Sequence, residues 1–155
     1  MNILWHAFIL SLLPVSELRG GIPYAVANGV DLIPAYFLCV FSNILVIPLL
    51  YLFLEFFHGY FYRVRLYRLL FDRWVDRTRI RAERNVQKYG YWGVMLFVAI
   101  PLPITGAYTG TLAAWLLRLN KGRSFWYLAL GVVIAGVIVS IATVSGIGIM
   151  RIFTK

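Results

Sequence analysis

Two apolar stretches of this chain are broken in the middle by proline, glycine and polar residues, and no other feature constrains the fold as strongly. The first break reads Ser16-Glu17-Leu18-Arg19-Gly20-Gly21-Ile22-Pro23. The second reads Ala99-Ile100-Pro101-Leu102-Pro103-Ile104-Thr105-Gly106-Ala107-Tyr108-Thr109-Gly110. Each is followed by a long, nearly charge-free run. Hydrocarbon offers no water to freed backbone groups, so irregular backbone at membrane depth must be buried in protein or line a cavity. Two such breaks at matching positions of two halves point to a transporter-type binding site.

Composition supplies the solvent. Only 14% of the 155 residues are charged and 61% are apolar, whereas soluble domains run at about 25% charged. That is too little charge to cover a globule, so the chain is expected in a bilayer, as a multi-pass protein of the cytoplasmic (inner) membrane. The formal charge of +9 is concentrated: nine basic residues face three acidic ones between Arg63 and Lys88. A basic patch is also the footprint of a nucleic-acid binder. Cytoplasmic loops of membrane proteins carry the same excess, and no nucleic-acid partner is expected here. Cys39 is the sole cysteine, which excludes an intrachain disulfide. His6 and His58 lack metal-ligand spacing, and no nucleophile elbow, phosphate loop or paired-cysteine motif occurs. Neither enzyme chemistry nor a cofactor nor a metal is expected. Residues Met1 to Pro14 lack a basic leader and a small-residue cleavage site, so they are expected to belong to the fold.

The chain reads as a single all-α membrane domain, 1–155, made of two inverted repeats. Residues 1–57 form the first, with a re-entrant broken hairpin over 1–30 and a span over 32–54. Residues 90–155 form the second, with a hairpin over 90–118 and a span over 124–150. Leu32 to Leu54 is uncharged for 23 residues and Ser124 to Met150 for 27, each enough to cross roughly 30 Å of hydrocarbon. Between the repeats lies 58–89, in which Tyr60 to Tyr89 lacks proline and glycine. Its Tyr60, Val64, Tyr67, Phe71, Trp74, Thr78, Ala82, Val86 and Tyr89 recur at helical spacing. It is read as a basic amphipathic linker helix on the inner surface, suited to anionic lipid, or as a plain cytoplasmic helical linker.

Charge sets the topology. Arg118, Lys121 and Arg123 form a second basic cluster, and positive loops stay inside. If both clusters are inside, Tyr89 to Leu117 must enter and leave on one side. Its limbs, Tyr91 to Ile100 and Thr111 to Leu117, are each too short to cross. The first block, with limbs Asn2 to Leu13 and Tyr24 to Val30, would dip in from outside. Four full spans with kinks is the competing arrangement, and it separates the two basic clusters. Arg151 and Lys155 dissent, because they would lie outside.

Glu17 and Arg19 are the leading functional residues. A charge at bilayer depth costs roughly 2.5–3.5 kcal/mol on insertion scales. Desolvation raises a carboxyl's pKa, which makes Glu17 the natural proton carrier. Arg19 presents a fork suited to phosphate or carboxylate. Alternatively the two only tie a loop together, or lie among headgroups. Gly20, Gly21 and Pro23 are read as turn residues that stop the first limb. Tyr24 and Asn28 share a face of the following limb, whose N-terminus would face an anion. In the second break, Pro101 and Pro103 end a limb, and Gly106 and Gly110 allow close backbone approach. Thr105, Tyr108 and Thr109 offer hydroxyls that line a pathway or satisfy carbonyls freed by the prolines. Gly131, Ala135, Ala142 and Gly146 form a small-residue face for another helix or a second subunit, and a homodimer is expected. Asn43 is read as an ordinary residue of the first span, with a hydrogen bond across helices as the less favoured reading.

These residues resemble a known family. Glu17-Leu18-Arg19-Gly20-Gly21-Ile22-Pro23, with Tyr89-Gly90-Tyr91-Trp92-Gly93 and the segment from Ile100 to Gly110, is similar to the small multi-drug export family of prokaryotic membrane proteins. The resemblance runs from about Leu12 to Leu117 and implies a small transporter. More loosely, the layout resembles the DedA superfamily, whose members are read as two facing re-entrant hairpins with adjoining spans. Several of those are implicated in moving polyprenyl-phosphate or phospholipid, with acidic and basic hairpin residues needed. This chain departs from that pattern, because Tyr89 to Leu117 carries no charge. The expectation is a proton-coupled transporter of an amphipathic or anionic-headed small molecule or lipid. The alternative is a non-transporting, membrane-organising or anionic-lipid-binding protein.

Overall fold

A computed structural model describes residues 2–57, 73, 89–101 and 105–153. Every regular element among them is helical. The helices are α1 (Ile3–Leu12), α2 (Glu17–Ala27), α3 (Leu32–Leu52), α4 (Tyr91–Ala99), α5 (Ala107–Leu116) and α6 (Lys121–Phe153), and one π-helical turn, Phe53–Phe57, extends α3. The expected linker over 58–89 lies outside the described residues except for Arg73 and Tyr89, and so does Pro103.

Two helices are long and apolar enough to cross a membrane: Leu32–Phe56, 25 residues, and Lys121–Gly146, 26 residues. At 1.5 Å per residue each exceeds the roughly 30 Å of a hydrocarbon core. Both leave large apolar side chains uncovered, Ile33, Phe37, Phe41 and Leu49 on one, Trp126, Ile138, Ile141 and Val144 on the other. Water does not tolerate apolar faces of this extent, but lipid does. The two helices run antiparallel in contact. Tyr36 donates to Val133 O at 3.2 Å, Gly136 faces Tyr36 and Val40, and Lys121 pairs with Glu55.

The four short helices pack as two pairs. In the first, the His6 ring meets Tyr24 and Gly21 lies against Ala7 and Ser11, so α1 and α2 are antiparallel. Gly29, at φ +87, ends α2 in the left-handed region that glycine adopts freely, and Val30 N–H closes the end on Ala25 O. The chain then enters α3, so this pair opens at the N-terminal end of α3. The other pair, α4 and α5, opens at the opposite end. There Asn120 N–H donates to the Tyr91 hydroxyl, and Tyr91 stacks on Tyr127. Ile22, Ile47, Val94, Val98, Leu112, Leu128 and Val132 fill the space between the six helices.

The expected turn residues are misplaced. Gly20, Gly21 and Pro23 do not form the first turn: α2 starts at Glu17 and runs through all three, and the turn is Leu13 to Ser16. The glycines serve packing. A β-carbon at Gly21 would stand 2.0 Å from Ser11 Oγ and 2.9 Å from both Ala7 O and Cys39 Sγ. Pro23 removes one rung of the ladder, a loss that neighbouring helices make tolerable. Gly110 is likewise inside α5, where a β-carbon would stand 2.3 Å from Val98. Of the proposed second-turn glycines only Gly106 stands in the turn. Gly131 of the small-residue face packs inside the chain, against Met95 O and Val98, whereas Ala142 and Gly146 are exposed.

Candidate functional site

A helix ends with carbonyls that its own N–H groups cannot reach, and in an apolar surround each needs a donor from elsewhere. The C-terminus of α1 shows where the donors come from. Ser42 Oγ donates to Phe8 O at 3.0 Å and Asn43 Nδ2 to Ser11 O at 3.0 Å. The Ser16 hydroxyl reaches Leu10 O, and the Tyr108 hydroxyl reaches Leu12 O. Ser42 and Asn43 are fully buried and lie near the middle of the apolar helix Leu32–Phe56. The tip of the first helix pair therefore sits at mid-length of a candidate span. Asn43 bonds across helices, the less favoured of its two readings in the sequence.

The second tip meets the first there. Glu17, the first residue of α2, is 7% exposed. Its carboxyl lies against Gly106 and accepts from Tyr108 N–H at 3.5 Å, in the first turn of α5. Gly106 precedes α5 with no side-chain cap of its own, and the Glu17 carboxyl meets the open N-terminal end of that helix from across the fold. The Arg19 guanidinium donates to Thr105 O. Both charged residues of the first break thus dock on the backbone of the second.

Glu17 lies in the hairpin helix, not in either long apolar helix. Burial raises its pKa from 4.5 to about 7, outweighing the attraction of Arg19 and the Tyr108 N–H, which lower it. Its backbone sits at φ +47, in the left-handed region that a side chain disfavours by about 1–2 kcal/mol. Strain of that kind collects at functional positions.

The other candidates divide. Thr105 Oγ1 donates to Ile100 O at 2.6 Å and Thr109 Oγ1 to Gly106 O at 3.3 Å. With Tyr108 on Leu12, these hydroxyls donate to backbone carbonyls, but of the three only Ile100 O adjoins the prolines, so neither of the two roles expected for them covers all three. Pro101 follows the Ile100 carbonyl that Thr105 satisfies. Tyr24 and Asn28 are not brought to the tips. Asn28 caps the far end of α2, its amide on Tyr24 O at 2.8 Å, eleven positions or about 16 Å along the helix from Glu17. The helix N-terminus at the tip is that of Glu17 to Arg19, not of Tyr24. Ser42 and the seat at Gly106 were missed in the sequence. Ser42, beside Asn43 in an otherwise apolar run, was a legible signal, and the seat was not.

Among the described residues no group of histidine, cysteine or acidic side chains could hold a metal ion. Residues 17–138 match the family model described as "Putative small multi-drug export protein". No curated protein and no solved structure matches the chain.

Proposed function

The chain belongs to the small multi-drug export family, and on that premise we propose that it moves an amphipathic or anionic-headed small molecule or lipid across the membrane, coupled to protons. The carrying observation is that Glu17 and Arg19, from one helix pair, dock on Gly106, Tyr108 and Thr105 of the other at mid-length of a candidate span. In this reading both short pairs are re-entrant hairpins and the halves are inverted repeats. The opposite openings of the pairs and the antiparallel long helices support it. The end carrying Arg118, Lys121 and Arg123 faces the cytoplasm. Glu17 carries the proton, and Arg19 meets the anionic head of the substrate. The protein works as a homodimer, with anionic lipid at the basic linker.

The test is scrambling of fluorescently labelled phosphatidylglycerol in vesicles with an imposed pH gradient. Glu17→Gln abolishes gradient-dependent movement and leaves insertion intact. Unchanged movement removes Glu17 from the mechanism. The donation of all three hydroxyls to carbonyls favours a second reading, a membrane-organising protein with no transport. Under that reading the purified protein moves no probe, and lipid binding depends only on the arginine-rich segment and fades with salt.

A further inference from the structure

The described helices form two sets whose tips meet. In one, α3 is bolted to α1 through Ser42 and Asn43, and Gly21 of α2 is seated against Ser11, Ala7 and Cys39. In the other, Gly131 of α6 lies on Met95 O and Val98 of α4, Gly110 of α5 lies between Val98 and Leu128, and Tyr91 and Trp92 pack on Tyr127. The two sets share a broad interface, α3 on α5 and α6 and α2 on α6, and at the tips the side chains of Glu17, Arg19 and Tyr108 reach across it.

The seat of Glu17 suits a neutral carboxyl. It is almost wholly buried, and the backbone N–H that it meets is 3.5 Å away, at the long limit of a hydrogen bond. Arg19, the cation that acts on Glu17 among the described residues, also donates to Thr105 O. The phenol of Tyr108 is the titratable group on α5 that feels Glu17. On α1, His6 is at the far end beside Tyr24. Helix α3 carries no charged residue, and α6 carries its own in its first turn and at Arg151.

We propose that the tip contact is a proton-dependent occlusion: the two tips close on each other while Glu17 carries a proton, and part when it is ionised. In this seat burial costs an ion more than Arg19 and the Tyr108 N–H give back, so ionisation favours the state in which water reaches the carboxyl. Linkage requires the closed state to bind the proton more tightly than the open one. The raised pKa of the closed seat has that sign. This deepens the transport reading and rests on it for its use, but its test does not need transport.

The test is spin-label distance measurement between cysteines placed at Leu13 and Ile100, one exposed residue at each tip, with Cys39→Ala as background, in vesicles of neutral and anionic phospholipid. The wild type gives a short, narrow distribution at about pH 5 and a longer one at about pH 9, either side of the Glu17 midpoint. Glu17→Gln gives the short distribution at both. Gly106→Ala, which fills the seat and keeps the carboxyl, gives the long one at both. Distances that ignore pH in the wild type, or lengthen in acid, overturn the proposal. Invariant distances with Glu17-dependent lipid movement sink the occlusion and spare the transport reading. The expected distances with no movement of any probe do the reverse.

Discussion

The Glu17 carboxylate fills the space that a β-carbon would need at Gly106: an added methyl would stand 2.0 Å from one carboxylate oxygen and 2.5 Å from the other. The absence of a side chain in one hairpin thus defines the position of an acid in the other, 89 positions earlier in the chain.

Gly106→Ala displaces the carboxyl towards water. Its titration midpoint falls from about 7 towards the ordinary carboxylate range, because burial is the largest cause of the upward shift. Arg19→Gln moves the midpoint the other way, by removing the cation that lowers it. The measurement is the infrared carboxyl band that Glu17→Gln abolishes, followed against pH. Midpoints that move together, or not at all, contradict the geometry of the seat.

Stability carries the same signature. The pKa of Glu17 is raised by folding, so the folded state binds the proton more tightly than the unfolded chain. The associated stability is fully present below pH 4.5 and is lost as pH rises through about 7. The change is on the order of 3 kcal/mol. Thermal melting of the purified protein falls across that window and is flat above it. Glu17→Gln removes this component of the pH dependence, and a melting curve as steep as that of the wild type counts against the burial of Glu17.

Asn43→Leu withdraws the donor from Ser11 O while filling the same space. A carbonyl buried without a partner costs about 1–3 kcal/mol. The variant melts correspondingly lower, and a loss indistinguishable from zero means that α1 ends elsewhere.

Gly21→Ala and Gly146→Ala separate the two uses of glycine in this chain. The first drives a methyl into Ser11, the Ala7 carbonyl and Cys39. Overpacking of this kind costs typically about 1–3 kcal/mol. The second meets nothing within 4 Å, and its melting temperature stays at or slightly above that of the parent, as helix propensity favours alanine. Equal behaviour of the two variants excludes the packing of α2 on α1 and α3.

Much of the helical framework is written in local pattern. Uninterrupted apolar runs predicted Leu32–Leu54 and Ser124–Met150, against helices of Leu32–Leu52 and Lys121–Phe153. The limbs Asn2 to Leu13 and Tyr91 to Ile100 came within a residue or so of α1 and α4. Run length and helical continuity depend on neighbours in sequence, and hydrocarbon enforces them by penalising every unpaired backbone group. The charged pair was legible for the same reason, because a carboxylate and a guanidinium in such a run are costly wherever the chain goes.

The glycines were not legible. A residue without a side chain permits a turn and equally permits close approach, and nothing local distinguishes the two. Gly20 and Gly21 were read as a turn and are packing positions, while Gly106 is the seat of an acid. Sequence alone determined which segments are helical, which are apolar enough to cross a membrane, and which residues carry charge among them. Tertiary structure alone decided what each missing side chain makes room for, since the group that fills the space comes from another helix.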